Sequence, residues 1–196
     1  MRLWTIQESI FLKELEVSGT YRCRSINFPP EWGVAYNWMI KQMNIQLGLP
    51  KYKDQYPIWA WSQYWNATKR KPDLRKSSHL ASGTQGLRIE FEKNENEVLL
   101  SDFMMWHMPL NDFFLAMNER ADDLYDDEIK NYNLERKSHQ LPKHLIKKKE
   151  ASWQAIFDLD LVNDYYSEKR EEKSIQGCLW EIKAEEIIKI DHFTAR

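Results

Sequence analysis

Apolar and polar positions alternate most cleanly between Leu87 and Glu92. Leu87, Ile89 and Phe91 take one face, and Arg88, Glu90 and Glu92 take the other. A period of two marks a half-buried strand. Val98-Leu99-Leu100 follows a polar turn at Lys93 to Asn96 and predicts the returning strand of an antiparallel hairpin. The β-branched and aromatic Leu3-Trp4-Thr5-Ile6 predicts a first strand, and Tyr21 to Ile26 a second extended piece. Tyr56 to Trp61 is short and apolar throughout, which suits a strand with Pro57 at its beginning or edge. Ile175 to Ile182 and Ile187 to Phe193 read as a late and a closing strand, with one helical turn at Lys183 to Glu186.

Helical spacing appears first at Glu8 to Ser18, where Phe11 and Leu15 sit four apart beside Leu12, and Gly19 stops the helix. Phe28-Pro29-Pro30 breaks the chain. Glu31 to Leu47 then carries a stripe of Val34, Trp38 and Ile45, widened by Ala35, Met39 and Met43 and ended by Gly48 and Pro50. Leu110, Phe113, Phe114 and Met117 predict a helix over Pro109 to Ala121. Residues 119–128 hold six acids and Arg120, and residues 143–149 hold four lysines. This pattern predicts a solvated helical excursion over 119–149, its opposite charges facing each other or water. Trp153, Ile156 and Phe157 return to the core. The sum is an α+β chain, one domain over residues 1–196. Its sheet is mostly antiparallel, twisted or partly closed into a barrel, with flanking helices and the charged insertion.

Composition narrows the function classes. Lys plus Arg is 28 and Asp plus Glu is 30 over 196 residues, a net charge of −2. That excludes a histone-like polycation and leaves room for a local basic patch. Gly is scarce at 6, and no phosphate loop or dinucleotide fingerprint is present. Trp is abundant at 9. Cys23 and Cys178 form no CxxC pair and are expected as reduced thiols. No apolar run approaches the roughly 20 residues that span a bilayer, and no signal peptide opens the chain. The expectation is a soluble cytoplasmic protein without a membrane partner.

Ligand-like chemistry concentrates in residues 59–76. Trp59 and Trp61 project from one face of a strand, as a stacking platform for a base or as core. Trp65 precedes polar residues and is the ring expected to be exposed. Residues 69–76 hold five cations against Asp73 alone. Arg offers a planar fork for phosphate, and clustered cations release counterions from nucleic acid; a solvated basic loop has the same composition. Within it Pro72 stiffens the chain and Asp73 is placed to orient Arg75, so Lys71 and Arg75 are the cations singled out. Ser101, Asp102 and His107 lie too close in sequence for a catalytic triad and suit a helix cap. An Asp102–His107 pair would still make a general acid or base. His139 and His144 are five apart, and Asp122, Asp123, Asp126 and Asp127 lack the Gly of a calcium loop, so no metal is expected.

Several blocks together resemble an uncharacterised bacterial family, domain of unknown function 3841. They are Leu3-Trp4-Thr5-Ile6-Gln7, Gly19-Thr20-Tyr21-Arg22, Tyr56-Pro57-Ile58-Trp59-Ala60-Trp61, Lys71-Pro72-Asp73-Leu74-Arg75, Trp106-His107 and Trp180-Glu181. The resemblance implies bacterial origin and one domain, and no activity. The opening strand, helix, Gly and Tyr-Arg are also similar to the start of ASCH and related PUA-like barrels, which bind RNA or modified bases. Thr20-Tyr21-Arg22 replaces their Lys. The closing Ile175 to Ile188 is similar to the last strand of ADP-ribosyltransferase-like enzymes. That resemblance implies NAD held near Gln7, Arg22 and Glu181. The readings are therefore three: a binder of a nucleotide-like or nucleic-acid ligand through Trp59, Trp61, Trp65, Lys71 and Arg75, without a cofactor; an NAD-using enzyme at Gln7, Arg22 and Glu181; and a protein-interaction module of a defence or toxin–antitoxin system using residues 119–149.

Overall fold

Strand β1 (Arg2–Glu8) opens the chain and ends where α1 (Ile10–Ser18) begins. The computed structural model describes residues 1–24, 29–77, 79–136, 140–163, 165–166 and 168–196. Gly19 ends α1 at φ 66°, a left-handed conformation that costs glycine nothing, and its N–H closes on the Leu15 carbonyl. β2 (Thr20–Tyr21) is only two residues long. The extended piece expected to Ile26 runs past the described residues at Ser25, as does the expected break at Phe28.

After a turn of 3-10 helix comes α2 (Gly33–Gln46), then β3 (Ile58–Gln63), β4 (Gln85–Glu92), β5 (Leu99–Asp102) and α3 (Phe103–Leu110). Two charged helices, α4 (Glu119–Lys130) and α5 (Lys143–Ser152), precede β6 (Ile175–Leu179), β7 (Ile182–Lys183) and β8 (Ile187–Thr194).

Six strands form an open antiparallel sheet in the order β5-β6-β3-β1-β4-β8, and β2 pairs with β7 in a small second sheet. The fold is α+β, and the sheet does not close into a barrel. One face of the sheet gathers Leu3, Ile58, Ala60, Leu87, Ile89 and Phe91 under α1 and the small sheet. On the other face Leu99 and Cys178 pack with Met39, Met43, Met105, Trp153 and Ile156. Burial pushes the Cys178 thiol well above its ordinary pKa; Cys23 is half-buried, and the two are not joined in a disulfide.

Several of the expected elements need correction. β5 pairs with β6 and makes no hairpin with β4, because both edges of β4 are taken by β1 and β8. The helix expected over Pro109–Ala121 is two helices with an irregular stretch between them. Asp102 caps α3, whose first residue Phe103 lies six positions before the expected start, and α3 ends at Leu110, after Pro109. Asn118 caps α4. In α2, Ala35, Trp38, Met39 and Met43 are buried, but Val34 and Ile45 are 48% and 77% exposed. The late strand is broken at Trp180-Glu181, where the chain leaves the large sheet for the small one.

The charged segment does pair internally: Arg136 meets Asp122 at 2.9 Å and Asp126 at 2.5 Å, and Lys148 meets Glu128. It is more than a solvated excursion, however. Tyr125, Ile129, Leu141 and Leu145 enclose a third apolar cluster with Phe114 and Ala116, and the Tyr125 ring stacks on Phe114 at 4.2 Å.

Candidate functional site

The second face of the sheet is covered unequally. Helices lie over β5 and β6, whereas the loop of residues 64–77 reaches over the β1-β4-β8 half through its cations. A tight turn starts this loop. Asn66 Oδ1 accepts hydrogen bonds from the Thr68 and Lys69 N–H groups and the Thr68 hydroxyl, and the Trp65 N–H donates to the Lys69 carbonyl at 3.1 Å. Arg70 donates to the Ser62 carbonyl at 2.9 Å and the Arg2 carbonyl at 3.2 Å, with its guanidinium over the Trp4 ring. Lys71 lies 3.4 Å from Asp191 and 4.0 Å from Glu90. Arg88 from β4 donates to the buried Pro72 carbonyl at 2.6 Å and to Asp191 at 2.6 Å. These contacts tie the loop down.

The remaining cations face outward. Arg75 grips Asp73 through two guanidinium nitrogens at 2.7–3.1 Å, as its spacing suggests, and this holds the Asp73 carboxyl well below the usual carboxylate range. Lys76 sits 4.6 Å from the centre of the Trp65 ring and 5.5 Å from that of Tyr64. Trp65 is 56% exposed. Together these side chains and Lys69 line an open pocket of about 580 Å³, with five cations and one carboxylate.

The other expected site residues are placed differently. Trp59 and Trp61 do share a face, but they are packed. The Trp59 ring lies 5.1 Å from Trp106 and 6.1 Å from Tyr36, and Trp61 meets Tyr64 and Phe103 edge-on at 5.0 and 4.8 Å. Neither lines the Trp65 pocket. The Asp102–His107 pair does not form. Asp102 Oδ1 caps α3 by accepting from the Met104 and Met105 N–H groups, and Oδ2 lies 3.3 Å from the ammonium of Lys173, itself only 1% exposed. His107 turns Nδ1 toward the Phe103 and Met104 carbonyls. Among the described residues no group of three His, Cys, Asp or Glu is arranged to hold a metal, and His139 lies outside them. No helix of the described residues is long and apolar enough to cross a membrane.

Arg22 and Glu181, 159 positions apart in sequence, do meet. The register of the small sheet sets Tyr21 opposite Ile182, so the next residues outward are Arg22 and Glu181. Arg22 Nε and Nη2 donate to one Glu181 oxygen at 2.8 and 2.5 Å. Gln7 accepts from the Tyr21 hydroxyl at 3.3 Å and donates to Thr5 at 2.8 Å. Gln7 and Arg22 line a cleft of about 540 Å³, and Arg22 and Glu181 line another of about 390 Å³.

The family model described as domain of unknown function (DUF3841) matches residues 2–188. The chain belongs to this family. No curated protein and no solved structure matches it. The matched span of DUF3841 contains the basic loop, Trp65 and the Arg22–Glu181 pair, and ends at the start of β8. The sequence pattern missed Lys76 as a partner of the indole and Lys71 as an anchor of the loop. Both roles follow from how the loop folds back, eleven residues after Trp65, and no local spacing records that.

Proposed function

We propose that the protein binds a nucleotide-like or single-stranded nucleic-acid ligand at the Trp65 pocket. The observation that carries this reading is a half-exposed indole flanked by Lys76 and joined by Lys69 and Arg75 on a loop pinned to the sheet. An exposed ring offers a face to any base, and outward cations meet the phosphates. Anchoring by Arg70, Lys71 and Arg88 lowers the ordering cost on binding, because the loop is already held. The expected test is titration with short single-stranded RNA, single-stranded DNA and free nucleotides. Trp65→Ala should weaken binding by ~1–3 kcal/mol, and charge reversal at Lys76 and Arg75 should weaken it with the melting temperature unchanged. No binding to any of these ligands would overturn the reading.

A second reading, an NAD-using enzyme, is favoured by the contact between Arg22 and Glu181 and by the cleft shared by Arg22 and Gln7. Transfer of ADP-ribose to water or an acceptor breaks the bond to nicotinamide, so nicotinamide release is its assay. Glu181→Gln should stop that release while the fold persists. A chain that releases none from NAD is not such an enzyme.

A further inference from the structure

Between α2 and β3 the chain from Leu49 to Tyr56 borders a cleft of about 470 Å³ that shares no lining residue with the Trp65 pocket. Three side-chain amides reach it: Asn37 and Asn44, two turns apart on α2, and Gln55 from the loop. Gln55 is 3% exposed. Its amide nitrogen donates to the Trp180 carbonyl, which fixes the orientation of the amide, and Oε1 is left with no hydrogen-bond partner among the described residues. Asn44 Oδ1 is likewise desolvated and without a partner among the described residues. Buried carbonyls are nearly always paired, because an unmet one forfeits its hydration. Two unmet acceptors in the lining of one cleft can be met by a ligand that brings donors. The same lining holds Lys51 and Lys53 against the single carboxylate of Asp54, with Ile40, Leu49 and Pro50 as an apolar wall for a carbon skeleton.

We propose that this cleft binds a small phosphorylated ligand. Two of its O–H or N–H groups donate to Asn44 and Gln55, and its phosphate lies at Lys51 and Lys53. That chemistry is shared by a sugar phosphate and an amino-bearing nucleotide. The site goes beyond the proposed binding at Trp65 and stands without it.

Calorimetric titration of the full chain with AMP, ribose 5-phosphate and inorganic phosphate tests it. At least one of the organic phosphates should bind more than about tenfold tighter than inorganic phosphate, because only they carry the extra donors. Binding of AMP alone assigns the donors to the base, and binding of both assigns them to the sugar. Asn44→Leu should abolish the difference without lowering the melting temperature, since it removes an unmet polar atom. The exposed pair Lys51→Glu and Lys53→Glu should abolish binding with the fold intact. Trp65→Ala, which disables the other pocket, should leave this binding unchanged. Equal binding of all three probes, binding of none, or organic-phosphate binding that survives both the lysine pair and a folded Asn44→Leu would overturn the proposal. Loss of AMP and ribose 5-phosphate binding in Trp65→Ala alone would reassign it to the Trp65 pocket.

Discussion

Trp38 and Ile45 occupy one helix seven residues apart, yet they differ sharply in what they touch. Trp38 stacks on Phe157 at 5.6 Å and meets Trp153 edge-on at 5.4 Å, inside the apolar cluster beneath the sheet. Ile45 faces water. Trp38→Ala should therefore cost ~3–5 kcal/mol by leaving a cavity, whereas Ile45→Ser should stay within about 0.5 kcal/mol of the parent. Chemical denaturation of the two variants checks this, and equal effects would show that the helix face is misassigned. The tryptophans divide in the same way. Trp59 and Trp61 are held by rings from α2, α3 and the loop, and of the three Trp65 is the exposed one. Three indoles within seven residues look alike in sequence. What separates them is whether another element arrives to cover each one.

At the scale of elements, α4 and α5 are joined to the rest through Phe114 and through Lys149, which reaches Asp112 at 2.7 Å. Phe114→Ala removes the ring on which Tyr125 stacks. Hydrogen exchange should then quicken in α4 and α5 while the central strands β1 and β4 keep their protection. Uniform loss of protection would make the pair part of the main cooperative unit. The loop over the sheet has its own fastener in Asp191 on β8. A hydrogen bond from Lys189, with Arg88 and Lys71 beside it, holds the Asp191 carboxyl well below the usual range. Its contribution to stability is therefore present above the unfolded value of about 3.9 and is lost as pH falls through the depressed native value. Asp191→Asn should lower the melting temperature at neutral pH and flatten its decline in acid. An acid limb identical to the parent's would remove Asp191 from that role. The strands read best from sequence, since β1, β4 and β8 carry period-two or β-branched patterns that a sheet face enforces. The partner of β5 did not, because pairing with β6 some 75 residues away leaves no local mark. The helix expected at 109–121 failed for a related reason. Phe114 to Ala116 is apolar because it is buried in an irregular path, and a helical spacing there is coincidence.

For the whole molecule the net charge of −2 supplies no long-range pull on a polyanion, so attraction at the Trp65 pocket must come from the cations that face outward there. The composition of residues 69–76 offers five, but the structure sorts them. Arg70 is held by backbone carbonyls and the Trp4 ring, and Lys71 is paired with Asp191. Lys69, Arg75 and Lys76 remain, with Arg75 steadied by Asp73. For single-stranded ligands the logarithm of affinity falls by about 0.7 per phosphate contact for each logarithmic unit of salt. Three contacts predict a slope of about −2, where all five would give about −3.5. Lys69→Ala or Lys76→Ala should each lower the slope by about 0.7. Lys71→Ala should leave it unchanged while loosening the loop, seen as faster hydrogen exchange at residues 70–76. Affinity measured for a short oligonucleotide from low to physiological salt decides between these values. A slope near the five-contact value would mean that Lys71 and Arg70 leave the sheet to meet the ligand. A slope near zero would mean that Trp65 binds through its ring alone.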